Sequence, residues 1–173
     1  MNQPSQPNGV VVVSGAGANG KACLERLYSS YPVKLLQVQS ARSPDLVQLY
    51  VIGHGGGMVS GDAVHLDVAV MDKSALLLKT QGSTKVYKRN SSAAGAIVDD
   101  GSVPTSQIIN GRLGCDSVLL SLPDPITCFA DSSLQQLQTY RLTDTSSCCL
   151  VECFTCGRES SGEIWRASRI RIS

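Results

Sequence analysis

The chain has 173 residues, enough for one domain with a core of its own. Apolar residues make up 42% of it, which argues against a disordered chain. Fifteen basic residues stand against fourteen acidic ones; a net charge of +1 argues against binding nucleic acid by bulk phosphate neutralisation and leaves little self-repulsion to oppose association.

Residues 1–9 read as a flexible polar tail, and 10–173 as a single β domain. The tail has no basic n-region, so it does not read as a signal peptide. The apolar run Val10–Val13 has four residues, far short of a bilayer span. Seven cysteines, an odd number clustered late, suit reduced thiols in the cytoplasm rather than a disulfide framework.

Val10–Val13 is β-branched and predicts a buried strand. The following Gly15, Gly17 and Gly20 fit G-x-G-x-x-G, and Gly15, Gly20 and Lys21 come near a P-loop. Both motifs cradle phosphate on backbone N–H groups. Against them, Ala22 has no hydroxyl for Mg²⁺, no acid closes Lys34–Val38, and no strand–helix alternation follows. A nucleotide site at Gly15–Gly20 is therefore the alternative, and a glycine-rich hairpin turn is the plainer expectation. Lys21–Ser30 predicts one short helix, broken at Tyr31-Pro32.

From Val33 onward the texture is β. Val64, Leu66, Val68 and Val70 alternate with His65, Asp67 and Ala69, the pattern of a strand with one buried face. Between these runs lie Gly53-His54-Gly55-Gly56-Gly57-Met58-Val59-Ser60-Gly61-Asp62 and, after Leu76–Leu78, the polar segment Thr80–Tyr87. The glycine run encodes special backbone geometry. A loose repeat follows. Val70, Leu113 and Leu142 each precede an Asp/Ser turn and an apolar strand. Those strands run into polar corners at Thr80–Ser83, Pro123–Pro125 and Thr155–Arg158. Stacked strands with aligned corners predict a β-solenoid or sandwich; an ordinary meander fits as well.

Among chemistry-bearing residues, Cys148, Cys149, Cys153 and Cys156 contain one C-x-x-C and no second pair at zinc spacing, so small buried hydrophobes are expected over a metal site. His65 is expected at the surface, and His54 stands within the glycine run. No nucleophile elbow or triad setting is present, which leaves hydrolase chemistry unsupported. Asp62, Asp124 and Glu163 sit at turns, where each can cap a backbone or, if the turns stack, offer oxygen ligands to a cation.

Five motifs in order resemble the UreD (UreH) family of urease accessory proteins. They are Tyr31–Leu36; Gly55-Gly56-Gly57 through Gly61-Asp62; Thr80-Gln81-Gly82-Ser83-Thr84-Lys85-Val86-Tyr87; Leu122-Pro123-Asp124-Pro125 with Phe129; and Gly157-Arg158 with Gly162-Glu163 and Trp165. Two positions depart: His54 stands where an aromatic residue is common, and Cys156 where proline is common. The resemblance implies a mainly β, β-helical fold with at most one or two short helices, and a chain shortened at its C-terminus. It also implies a non-catalytic, cytoplasmic role in urease maturation. The expected partners are UreF- and UreG-type proteins and the urease apoprotein, with no nucleic acid and no membrane. Nickel is then passed along an internal wet passage and no nucleotide is held. Such transfer needs weak, exchangeable oxygen contacts rather than thiolate or histidine clusters. Asp62, Thr80, Thr84, Asp124 and Glu163 suit that chemistry. Gly55, Gly56, Gly57, Gly61, Gln81, Lys85, Tyr87, Pro123 and Arg158 are the accompanying partner or structural signature.

Overall fold

Period-two alternation builds nearly all of this protein. A computed structural model describes residues 6–15, 21–38, 45–88, 103–167 and 169–173. They form fifteen strands: β1 Gly9–Ser14, β2 Cys23–Ser29, β3 Val33–Val38, β4 Val47–Gly53, β5 Gly57–Met58, β6 Ala63–Val70, β7 Ala75–Thr80, β8 Thr84–Val86, β9 Thr105–Leu113, β10 Val118–Ser121, β11 Ile126–Cys128, β12 Ser133–Arg141, β13 Ser147–Leu150, β14 Phe154–Cys156 and β15 Arg169–Ile172. The helical turns among the described residues are short 3-10 pieces at His54–Gly56 and Glu159–Ser161. The fold is mainly β.

From β4 onward the strands come in consecutive triplets, and each triplet sends one strand to each of three sheets. The first sheet runs β15-β12-β9-β6-β1-β2, the second β13-β10-β7-β4-β3, and the third β14-β11-β8-β5. Equivalent strands of successive triplets pair in parallel. Val47, Leu76, Leu119 and Cys148 stand side by side in register, at intervals of 29, 43 and 29 residues. The long interval contains residues 89–102, which lie outside the described residues. The loose repeat in the sequence is thus a regular one carrying one longer connection.

Serine and aspartate make the turns from the first sheet to the second. Ser74 and Ser117 donate through Oγ to the carbonyls of Met71 and Gly114, three residues back, at 2.6 and 2.8 Å. Ser146 does the same to Thr143 at 3.0 Å. Each Oγ thereby occupies a carbonyl that the turn would otherwise leave open. Between the second and third sheets, Thr80–Ser83 stacks against Pro123–Pro125 as expected, with Leu122 N donating to Leu78 O at 2.9 Å. The third corner is Val151–Cys153 rather than Thr155–Arg158. Val151 N donates to Ser121 O, and Thr155 lies one strand later beside Thr127.

Two expectations near the N-terminus change. Cys23–Ser29 is a strand, not a helix, because β1 offers it an antiparallel ladder from Gly9↔Ser29 to Ser14↔Cys23. Tertiary pairing overrides a weak helical propensity here. The segment read as a tail is fastened at its end: β1 begins at Gly9, and Asn8 accepts from His65 N at 2.8 Å. The β1–β2 pairing is the predicted hairpin, although residues 16–20 at its turn lie outside the described ones. At Gly15 an added Cβ would stand 2.7 Å from Lys73 O, so this glycine serves a close backbone approach within the fold.

Inward side chains stack in columns to form the core. Leu49, Leu76, Leu119, Leu134, Val11, Val13, Val33, Val70 and Val86 are all fully buried. Gly111 shows how tight one column is. It lies opposite Tyr140 on β12, and an added Cβ would collide with the Tyr140 ring. Gly111→Ala is expected to destabilise the fold by about 1–3 kcal/mol through overpacking. Urea denaturation should show that loss, and Tyr140→Leu in the same chain should recover most of it.

Candidate functional site

Inward columns in the first sheet change character from one triplet to the next. Val64 stacks on Gln107 and Gln136, and Leu66 stacks on Ile109 and Gln138. In the second sheet Leu49 stacks on Leu78, Ser121 and Leu150. The first layer is hydrocarbon, and Gln107, Gln136, Gln138 and Ser121 bring polar side chains into the later ones. Between the sheets lies a cavity of about 50 Å³, bounded by Leu66 and Ile109 on its apolar side and by Gln107, Gln136, Gln138 and Glu152 on its polar side.

A chain of hydrogen bonds runs along the polar wall. Gln136 Nε2 donates to Gln107 Oε1 at 3.1 Å and to Glu152 Oε1 at 3.0 Å. Gln138 Nε2 donates to the same carboxylate oxygen, and Tyr140 donates its hydroxyl to Gln138 Oε1 at 2.7 Å. Gln136 is 3% exposed, yet its Oε1 has no partner among the described residues. Burial pushes the Glu152 carboxyl above the usual carboxylate range, although hydrogen bonds from Gln138 and Gln136 oppose the shift. Burial, then the nearby Cys148 and Glu152, likewise raise the Tyr140 hydroxyl.

Three of the five residues expected to carry a cation meet at one corner. Thr80, Thr84 and Asp124 all line the cavity. The Asp124 carboxylate accepts from Thr80 Oγ1 at 3.1 Å and from Gly82 N at 2.9 Å, while Asp124 N donates to Thr80 Oγ1 at 2.7 Å. Pro123, in the same corner, also lines the cavity.

Asp62 and Glu163 lie elsewhere, at turns from the third sheet to the first. Asp62 accepts from Val59 N at 2.9 Å and from the Tyr31 hydroxyl at 3.5 Å. Glu163 pairs with Arg158 at 2.5 Å and accepts from Ala130 N at 3.2 Å. Like Asp124, both carboxylates therefore brace a turn through a backbone N–H. Among the described residues no group of three or more His, Cys, Asp and Glu side chains is placed to hold a metal. The late cysteines are dispersed: Cys148 faces the core, Cys149 and Cys153 are exposed, and Cys156 stands beside Cys128.

The glycine run and Thr80–Tyr87 do face each other, through β5 and β8. Gly55 and Gly56 have φ of +73°, and at Gly57 an added Cβ would stand 2.7 Å from Lys85 O. A second cavity of about 60 Å³ lies beneath this turn, lined by Gly56, Gly57, Gln81 and Gly82. It shares Val51, Thr80 and Thr84 with the first, so the two adjoin there. Gly61 turns the chain at φ +86°. Tyr87 packs edge-on against Phe129 at 5.3 Å, and the Arg158 guanidinium covers the same ring at 5.7 Å. The histidines are engaged as well. His54 stacks obliquely on Tyr31 at 5.8 Å, and His65 approaches Asp67 at 3.3 Å with its side chain only 13% exposed, less open than expected.

Sequence reasoning missed Gln107, Gln136, Gln138, Tyr140 and Glu152. One signal was present: Leu134, Gln136, Gln138 and Tyr140 share one parity, so a buried Leu134 carries the other three inward. No helix among the described residues is long and apolar enough to cross a membrane.

Comparison with known proteins gives a consistent assignment. Residues 8–173 match the family model described as UreD urease accessory protein. Urease accessory protein D of Arabidopsis thaliana is 38% identical over 159 residues, which cover 91% of this chain and 50% of the relative. Urease accessory protein D of Oryza sativa subsp. japonica is 35% identical over 167 residues, 95% of this chain and 50% of the relative. Urease accessory protein UreD of Sorangium cellulosum is 33% identical over 158 residues, 89% and 46% respectively. The chain thus spans about half the length of the curated relatives it matches.

The raised carboxyl has a consequence for stability. Glu152 keeps its proton to higher pH in the folded chain than in the unfolded one. Folded protein therefore binds more protons from the ordinary carboxylate pKa up to that of Glu152, and stability falls as pH rises through this window. Glu152→Gln is expected to flatten that fall. Urea midpoints measured from about pH 4 to about pH 8 will show it as a shallower slope in the variant than in the wild type.

Proposed function

The chain belongs to the UreD family of urease accessory proteins, and from that membership we propose that it serves urease maturation as a non-catalytic protein that passes nickel onward. Its partners in this reading are UreF- and UreG-type accessory proteins and the urease apoprotein, in the cytoplasm. The triplets of strands stacked in parallel register support a β-helical architecture for the domain, with the passage along its interior. Neither nucleic acid nor membrane enters the scheme.

The observation that carries the proposal is the cavity between the sheets, apolar on one side and polar on the other, adjoining a second beneath the glycine turn. An ion moving through such a space exchanges between oxygen atoms: hydroxyls of Thr80 and Thr84, the Asp124 carboxylate and backbone carbonyls. Oxygen ligands bind borderline cations loosely enough for release, whereas clustered thiolates or imidazoles would retain them. Asp62 and Glu163 contribute at the flanking turns, where each also braces the backbone. Chemistry at Gly15–Gly20 is less favoured, because Gly15 backs directly onto the Asp72–Lys73 carbonyls.

Complementation of a strain lacking its own UreD-type protein tests this reading, with urease activity as the measurement. The wild-type chain is expected to restore activity. Asp62→Ala and Glu163→Ala are expected to lower it about tenfold while circular dichroism shows the chain folded. Full activation by both variants refutes the assignment of these residues to the path.

A further inference from the structure

Two arginines stand side by side on the outer face of the first sheet with nothing to neutralise them. The core fixes which residues of β1, β6, β9 and β12 point inward, so the residues between them face outward. One outward row reads Arg141–Arg112–Ala69–Val12–Arg26 across β12, β9, β6, β1 and β2. Arg112 and Arg141 are exposed and lie directly opposite each other on neighbouring strands, whose backbones run about 4.8 Å apart. Like charges so placed repel. Neither of them, nor Arg26, forms an ion pair among the described residues.

The adjacent row, Thr139–Asn110–Asp67–Val10–Tyr28, contains one carboxylate, and it is committed elsewhere. Asp67 Oδ1 accepts from Asn110 Nδ2 at 2.9 Å and stands 3.3 Å from His65 Nε2. The same Asn110 nitrogen lies 2.9 Å from His65 Nε2, so the three side chains hold one another across β6 and β9. One strand beyond β12, β15 adds the exposed Arg171 beside Gln135. Positive charge is thus gathered on one sheet face of a chain whose net charge is only +1.

Apolar side chains share this face. Leu137 and Ile108 stand beside His65, and Val10, Val12 and Tyr28 extend the apolar area toward β2. Leu137 is 41% exposed and Tyr28 48%. Aliphatic groups flanked by arginine suit a protein contact, whereas single-stranded nucleic acid needs a series of aromatic rings for base stacking, and these rows hold one. We propose that the outer face of the first sheet docks a partner protein through a surface rich in carboxylates. Those carboxylates pair with Arg112, Arg141 and Arg26, while aliphatic side chains meet Leu137 and Val10. The docking face rests on the maturation reading for the partner's biological identity and is independent of the cavity.

Repulsion between Arg112 and Arg141 burdens the isolated chain, and a partner's carboxylates relieve it. Stability and docking therefore respond differently when one guanidinium is removed. Arg141→Gln is expected to leave the urea midpoint unchanged or raised while it weakens docking. A guanidinium with a structural role would lower both. Because these charges are exposed, added salt screens the contact.

Fluorescence anisotropy tests the face with two labelled probes: poly(Glu,Tyr), a polypeptide of carboxylate and aromatic side chains, and an oligothymidylate of similar charge. The wild-type chain is expected to bind poly(Glu,Tyr) saturably and more tightly than the oligothymidylate, losing at least about threefold in affinity between about 50 and about 150 mM NaCl. Arg112→Glu/Arg141→Glu is expected to weaken that binding by at least about tenfold, and Arg141→Gln by about threefold. Lys34→Glu/Lys88→Glu changes the net charge equally at exposed positions off this face, on β3 and just after β8, and is expected to alter binding less than about twofold. Absence of saturable binding, tighter binding of the oligothymidylate, equal losses in the two double variants, or a lowered urea midpoint in Arg141→Gln would each overturn the proposal. Circular dichroism checks folding of every variant, and Arg141→Gln is decisive if the double reversal does not fold. A chain that binds poly(Glu,Tyr) as expected but fails to activate urease refutes the maturation reading and leaves the docking face standing.

Discussion

Parallel backbone pairing between strands 29 residues apart is the constraint on which everything else hangs. Once Val47 lies beside Leu76 and Leu119 beside Cys148, every inward side chain must share its column with its equivalents above and below. A strand cannot slip by one residue without turning a whole column outward. The turns must also close without leaving carbonyls stranded. Ser74, Ser117 and Ser146 meet that need by bonding three residues back, and Asp124 braces the corner between the second and third sheets through Gly82 N. Glycine stands where two backbones must touch: Gly57 lies against Lys85, and Gly15 against Lys73.

Columns also explain why the interior is uneven. A leucine or valine shared by neighbouring layers repays its burial directly, at about 25 cal/mol per Å² of apolar surface removed from water. A glutamine in the same column must find partners or lose that gain. Gln107 and Gln136 solve this by bonding each other, and Gln136, Gln138 and Tyr140 extend the chain to Glu152. The network holds polar side chains across the interior where hydrocarbon would have closed it, and space remains between them.

The sequence reveals parts of this fold in which a residue's neighbours resemble one another. β6 is legible because its apolar and polar residues alternate cleanly, and the glycine run can be matched to Thr80–Tyr87 because both are compositionally unusual. The repeated Asp/Ser turns are legible for the same reason. β2 is not, since its pairing partner β1 lies across a turn and its own residues suit a helix equally well. The third corner is displaced because polarity and Gly157 mark Thr155–Arg158, while Val151–Cys153 holds one polar residue and reads as strand; only register, a long-range property, places the corner there. Gln136 and Glu152 escape notice because polar side chains are expected to face water, and only the parity set by Leu134 turns Gln136 inward.

The expected site residues fall into two physical kinds, which bears on how a passage and a rigid stack coexist. Asp62, Asp124 and Glu163 each give lone pairs to backbone N–H groups that turn the chain. A carboxylate so engaged remains a weak ligand, because any ion must compete with hydrogen bonds that hold the corner. Glu152 differs: it is an exposed residue that accepts from side-chain amides, and partial desolvation of its carboxyl opposes the charged form. An ion held tightly at a corner would take those hydrogen bonds away from the turn, so only weak, passing contact there leaves the stack intact. Weak oxygen contacts at the turns suit a route that an ion can enter and leave without the sheets rearranging.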